Sequence, residues 1–295
     1  MRVLVTGASG GIASGVVPAL INAGHQVVGL VRSDEGEAKV KAYGAEVRRG
    51  NLDDLDSLRA GAEDADGVVH LAFNHADFAT AGATERAAIE AFGQVLARTG
   101  KPFLFASGVA LYKPGQVLTE DDASPFTGPE SPRGGAEQLA LSYAERGIRA
   151  VSLRFPPTVH YTGDHGFIAF LAQKAKEQGV SAYVGDGAHR WAAVHLGDAA
   201  KAVALALEKS APGAAVHVVA EPGVATREIA EAIGRLLGVP TESVTPEQAQ
   251  ARLGFIGRVF ATDIQASSVL TRQRLGWEPT GPTLLDDIAG GAYPA

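Results

Sequence analysis

Short apolar runs alternate with amphipathic stretches through the first half of the chain. Val3–Thr6, Gln26–Val31, Glu46–Arg49, Gly67–Leu71, Phe103–Ser107 and Ala150–Phe155 read as strands, most of them rich in β-branched or aromatic residues. Between them, helical spacing recurs over 11–23, 35–42, 54–61, 76–98 and 133–146. This alternation predicts an α/β fold with a doubly wound parallel sheet. From Pro156 the rhythm changes to helical patterns at 165–178, 197–208, 226–237 and 283–289, separated by isolated short strands. The expected organisation is a core over 1–155 and a smaller C-terminal substrate lobe over 156–295 that returns some elements to the core. Lys113–Gly135, rich in Pro, Gly and acidic residues, reads as a long loop over the carboxyl ends of the strands, the edge where such sheets bind ligands.

The first strand runs into Thr6-Gly7-Ala8-Ser9-Gly10-Gly11-Ile12 and straight on into a helix. Gly7 permits a tight turn, Gly10 and Gly11 let backbone amides approach a pyrophosphate, and the small Ala13 allows close packing of helix on strand. The helix N-terminus favours negative charge, so this turn is a candidate dinucleotide seat and the core a Rossmann fold. At the end of the second strand, where a carboxylate would bind the ribose of NAD, stand Val31, Arg32 and Ser33. A guanidinium fork and a hydroxyl match a 2′-phosphate, which favours NADP(H) over NAD(H).

Composition narrows the partners. The chain has 295 residues, 46% of them hydrophobic, enough for a large core. A net charge of -7 without a basic run argues against nucleic acid, and the apolar runs are too short for a membrane span. With no cysteine, disulfides, thiolate metal sites and cysteine nucleophiles are excluded. Met1 leads directly into the first strand, so a cytoplasmic protein with a small-molecule substrate is expected. His160, Asp164 and His165 fit no established metal-ligand spacing, and no metal is expected.

Further landmarks follow in order: Gly50-Asn51-Leu52-Asp53, Val69-His70-Leu71-Ala72, Leu153-Arg154-Phe155-Pro156-Pro157-Thr158-Val159, Val194-His195-Leu196-Gly197-Asp198 and Leu275-Gly276-Trp277-Glu278-Pro279. With the glycine turn, they resemble the extended short-chain dehydrogenases of the nucleotide-sugar epimerase and dehydratase group over nearly the whole chain. The resemblance implies a seven-stranded Rossmann core, a nicotinamide cofactor and a C-terminal substrate lobe. It also implies that Asn51 and Leu52 border the adenine, that Leu71, Ala72 and Phe73 line the ribose and pyrophosphate, and that Pro156 and Pro157 lie beside the nicotinamide. Relatives use two long helices for a homodimer interface; 76–98 and 133–146 are their counterparts here.

The family's Tyr-x-x-x-Lys is missing. Counting back from Ala136-Glu137-Gln138-Leu139 places Arg133 at the lysine and Pro129 at the tyrosine. Proline cannot move a proton, and Arg133 is suited to holding a ribose hydroxyl or an oxyanion. The family serine after the fifth strand falls at Gly108, one residue beyond Ser107. Tyr112, just past that strand, and His160 are the candidate replacement acids. His70 and His195 read as structural, and Phe126, Phe155, Phe167, Tyr183 and Trp191 as an apolar substrate pocket. The leading expectation is an NADP(H)-dependent oxidoreductase acting on a carbonyl or alcohol with a nonstandard proton donor. The alternatives are a nucleotide-sugar epimerase or dehydratase, and a noncatalytic NADP(H)-binding redox sensor.

Overall fold

The computed structural model describes residues 1–74, 78–109 and 115–293. Its first half alternates strand and helix: β1 (Arg2–Thr6), α1 (Gly11–Asn22), β2 (Gln26–Val31), α2 (Asp34–Ala42), β3 (Glu46–Arg49), α3 (Leu55–Glu63), β4 (Gly67–His70), α4 (Phe78–Leu96), β5 (Pro102–Gly108), β6 (Val117–Leu118), α5 (Ala136–Ser142) and β7 (Arg149–Phe155). The second half adds β8 (Thr158–His160), α6 (Phe167–Gln178), β9 (Ser181–Val184), β10 (Arg190–His195), α7 (Leu196–Lys209), β11 (Ala214–His217), β12 (Glu221–Ala225) and α8 (Thr226–Leu237). It ends with β13 (Thr241–Val244), α9 (Pro246–Leu253), α10 (Phe255–Phe260), β14 (Gln265–Ala266), α11 (Val269–Leu275) and α12 (Leu284–Ala289).

Seven parallel strands form the main sheet in the order β11-β7-β5-β4-β1-β2-β3. The chain starts in the middle, winds outward to β3, then crosses back through β4, which places a topological switch beside β1. Side chains alternate across the sheet. Val3 and Val5 of β1 face α1 and α7, where Val16, Val17, Leu20 and Val203 complete one core; Leu4 faces the other way, onto Leu58, Ile89 and Phe92 of α3 and α4. α7 and β11 both come from beyond Pro156, so the later half of the chain closes one face and one edge of the core. The remaining elements enclose a separate core around Ile168, Trp191, Ile229 and Phe260.

Two expectations are corrected. The continuous helix over 133–146 is absent: Pro132–Gly135 is a short 3-10 turn in which Arg133, Gly134 and Gly135 have φ of 53°, 60° and 61°, and α5 proper has 7 residues before a second 3-10 turn at Tyr143–Arg146. Adjacent glycines have poor helix propensity and readily take left-handed backbone. The dimer expectation thereby loses the second of its two long helices. Trp191 is fully buried against Phe167 and Phe260, with Nε1 donating to the Val259 carbonyl, so it belongs to the second core and is not a pocket wall. The loop before Gly135 is fastened to the C-terminal lobe, because β6 pairs with β14 and buried Glu120 accepts from the Thr271 amide at 2.6 Å.

Candidate active site

The carboxyl ends of β1, β2, β4, β5 and β7 carry the expected site. Gly7 leaves β1 at φ 66°, and a Cβ there would lie 2.8 Å from the Ala72 amide nitrogen, so only glycine lets the turn after β1 pass the end of β4. The Gly10 amide closes the turn on the Gly7 carbonyl at 2.9 Å, and Gly10 caps α1 without a side-chain acceptor. The first amides of α1 therefore remain available to an anion. Thr6 Oγ1 fixes the facing edge: it accepts from the Ala72 amide at 3.3 Å and bonds His70 Nδ1 at 2.7 Å. Burial pulls His70 down to about 3, so it is a neutral structural group that fixes the ends of β1 and β4. His195 is likewise structural, accepting from the Gly197 amide to cap α7.

Sequence reading missed Tyr161. Its hydroxyl would lie 2.7 Å from a Cβ on Gly11, which brings a phenol from beyond β8 onto the glycine turn. Gly11 thus serves a close approach of side chain as well as of ligand. A contact spanning 150 residues of sequence leaves no local signal.

Ser9 and Ser33 meet around Gly36, whose Cβ would lie 3.2 Å from Ser9 Oγ and 3.4 Å from Ser33 Oγ. Ser33 caps α2, accepting from the Gly36 amide at 3.2 Å. The acidic residues of α2 are paired: Asp34 and Glu37 with Arg49, and Glu35 with Lys39 at 2.7 Å. Arg32 is exposed, and no described carboxylate pairs with it. The end of β2 therefore presents one uncommitted guanidinium beside the N-terminus of α2. Asn51 is more constrained, since its side-chain oxygen accepts from the amides of Asp53 and Asp54 in the turn leading to α3. Leu52, Leu71, Ala72 and Phe73 are half-buried; Pro156 is buried and Pro157 half-buried at the end of β7.

Arg133 turns into the site from its left-handed backbone, a conformation that costs an ordinary residue about 1–2 kcal/mol. Its guanidinium pairs with buried Glu85 of α4, donates to the Ala106 carbonyl at 3.1 Å and lies 4.6 Å from the Phe73 ring centroid. It therefore spans the ends of β4 and β5. Burial pushes the Glu85 carboxyl up to about 7 against the pull of Arg133. Ser107, one residue beyond Ala106, is half-buried and donates to Glu137 Oε2 at 3.1 Å.

His160 and Tyr112 fare differently. His160 is 0% exposed, with Nδ1 at 2.6 Å from Asp287 of α12 and its ring edge-on to His195. Burial pulls its pKa down against the raising effect of Asp287. The structure thus places it as a tie between β8 and the C-terminal helix, without an open face toward the sheet edge. Tyr112 lies outside the described residues.

The match to the NAD dependent epimerase/dehydratase family model runs over residues 3–220 and takes in every element that builds this edge. The chain belongs to the NAD dependent epimerase/dehydratase family. A full-length relative, protein C2A9.02 of Schizosaccharomyces pombe, is 46% identical over 99% of this chain and 100% of its own length. A Stigmatella aurantiaca protein named 4-hydroxy-2-methyl-3-oxo-4-farnesyl-3,4-dihydroquinoline-1-oxide ketoreductase is 29% identical over 74% of this chain and 67% of its own. Among solved structures, the dTDP-glucose 4,6-dehydratase DesIV of Streptomyces venezuelae, with NAD bound, superposes with a TM-score of 0.77 at 21% identity, covering 99% of this chain and 96% of its own. Within the family, this chain keeps the glycine turn and the seven-stranded sheet while Pro129 and Arg133 stand where the sequence count places the tyrosine and lysine.

Proposed function

We propose that the protein is an NADP(H)-dependent oxidoreductase acting on a carbonyl or alcohol group of a small or medium organic molecule, with a proton donor other than the family tyrosine. The observation that carries this reading is the glycine turn opening α1 together with the exposed Arg32 beside the α2 N-terminus, with which no described carboxylate pairs. Gly7, Ser9, Gly10, Gly11 and Ile12 hold the pyrophosphate, Arg32 and Ser33 the 2′-phosphate, and Asn51 and Leu52 the adenine. Leu71, Ala72, Phe73, Pro156 and Pro157 line the remainder, with Arg133 at the nicotinamide ribose. When bound, the cofactor supplies or takes hydride at nicotinamide C4; the protein's task is to orient the carbonyl and to move one proton. The ketoreductase name of the Stigmatella relative supports this reaction class.

NADPH is expected to bind more tightly than NADH, and Arg32→Ala to remove roughly tenfold or more of that preference, since a charge-assisted hydrogen bond contributes about 1.5–3 kcal/mol. Fluorescence titration of both cofactors measures it; equal affinities in the parent protein would sink the assignment. A panel of ketones, aldehydes and alcohols then tests turnover, and tight NADPH binding without turnover supports the redox-sensor alternative.

A nucleotide-sugar epimerase or dehydratase is the second reading, favoured by family membership and by the DesIV fold. Against it, Pro129 stands where the family tyrosine is counted, so the usual proton donor of that chemistry is missing. Calorimetry with uridine and thymidine diphosphate sugars separates the two. A homodimer through α4 belongs to the same proposal; light scattering should return twice the 30.4 kDa chain mass, and the single-chain mass at micromolar concentration would exclude it.

A further inference from the structure

Three polar side chains stand in register on one face of the sheet. Ser107 of β5 pairs with Arg154 of β7, and Arg154 with His217 of β11. Over them lies Glu137, in the first turn of α5. Its two oxygens are divided: Oε1 accepts from Arg154 Nε at 2.6 Å, and Oε2 from the Ser107 hydroxyl at 3.1 Å. The glutamate and arginine side chains are 5% and 2% exposed, and Ser107, half-buried, is the most exposed member of this chain of contacts. His217 donates from Nδ1 to the Ser267 carbonyl at 2.6 Å and thereby turns a bare Nε2 to Arg154 Nη1, 3.2 Å away. Burial pushes His217 down to about 4, so it stays neutral and leaves Arg154 as the counter-charge of Glu137.

We propose that Glu137 is the proton acceptor behind Ser107, so that Ser107 and Glu137 form a two-membered proton relay in place of the absent tyrosine. This rests on the oxidoreductase reading above. In alcohol oxidation, the substrate O–H bond breaks as its proton passes to Ser107 Oγ, and the serine O–H bond breaks as its own proton passes to Glu137 Oε2. The hydride leaves to the cofactor, and Glu137 later returns its proton to Ser107 Oγ as the serine passes its own to water. Carbonyl reduction runs the same transfers in reverse and begins with Glu137 protonated. Ser107 touches the substrate; Glu137, Arg154 and His217 act through it.

The relay fixes a sign for pH. Oxidation needs Glu137 ionised, so its rate falls as acid protonates the carboxylate; reduction needs it protonated, so its rate falls as pH rises. Among the described residues, the charged or titratable groups around it are Arg154 on β7, His217 on β11 with Glu120 beside it, and the Arg133–Glu85 pair between α4 and the turn before α5. Arg133 and Arg154 keep their charge throughout. Glu85, pushed up to about 7 by burial, would give a separate limb, identified by its persistence in Glu137→Gln.

The test uses the full-length protein and whichever substrate the carbonyl and alcohol panel yields. Ser107→Ala leaves the Glu137–Arg154 pair intact and should lower turnover about a hundredfold or more with NADPH affinity unchanged, while Ser107→Thr, which keeps the hydroxyl, should retain most of it. Glu137→Gln, checked for native circular dichroism, should lose a similar factor and the limb assigned to Glu137. The double variant should be no worse than either single one, because each breaks the same relay. Parental turnover in Ser107→Ala, or a hundredfold loss in Tyr112→Phe with Ser107→Ala unaffected, overturns the relay and leaves the oxidoreductase reading standing. Failure of the parent protein on the whole panel removes the oxidoreductase reading and the relay with it.

Discussion

Gly7→Ala is expected to weaken dinucleotide binding about a hundredfold or more and to destabilise the fold by roughly 2–4 kcal/mol. Two costs combine. At φ 66° an alanine is forced into the left-handed region, which alone amounts to about 1–2 kcal/mol. Its Cβ would also lie 2.8 Å from the nitrogen and 2.9 Å from the Cα of Ala72, backbone held at the end of β4 by Thr6 and therefore unable to yield. Relief by shifting the turn displaces the α1 N-terminus, and the loss in NADPH affinity should be about a hundredfold or more. Gly24→Ala is the control. It has φ 84° with nothing within 4 Å of its Cβ, so it should carry only the conformational cost and bind NADPH normally. Urea denaturation and fluorescence titration of both variants measure the two effects; equal losses in both would show that the Ala72 contact is immaterial.

Removing Arg154 is expected to have the largest effect on stability of any single change at the sheet edge. Arg154→Met removes the guanidinium that pairs with the buried Glu137 carboxylate at 2.6 Å, and breaking a buried pair by removing one partner costs about 3–5 kcal/mol. The methionine keeps much of the side-chain volume, so the loss reports charge more than cavity. Neutralising the survivor should restore most of the stability: the double variant Arg154→Met with Glu137→Gln should unfold at a urea concentration close to the parent's. A double variant no more stable than Arg154→Met would assign the loss to packing. The parent pair is thus a demanding arrangement, stable only because each buried oxygen and nitrogen has a partner.

The fold was legible because its signals are local. Alternating apolar runs gave β1 to β5 and β7 within a residue or two, as the pairs Val3–Leu4 and Phe103–Leu104 divide between opposite faces of one sheet. The glycine turn was legible for the same reason, each glycine lying beside the strand and helix it joins. What stayed hidden depends on register and distance. Nothing near Glu137 in sequence announces Arg154, 17 residues on, or His217 beyond it; β7 and β11 bring them together. Tyr161 reaches Gly11, and Asp287 reaches His160, only after the second half of the chain has folded back. The expected helix over 133–146 was a matter of averaging: good helix formers from Ala136 onward outweighed two glycines whose backbone takes the left-handed region.

That run of left-handed residues also constrains any attempt to return the chain to tyrosine chemistry. Pro129→Tyr with Arg133→Lys would restore two side chains on a segment that is no continuous helix. The new lysine would inherit a φ of 53°, and its neighbours at 134 and 135 already sit where a Cβ would meet Gly82 and Gly128 backbone atoms at 2.9 Å and 2.7 Å. Exchange of catalytic identity here is a backbone operation. It requires the segment from 128 to 137 to be transplanted as a block, together with the strip of α4 around Gly82 on which it rests. Point mutation offers no gradual route between the two architectures, and a lineage that adopted this turn would be held to finding its proton elsewhere.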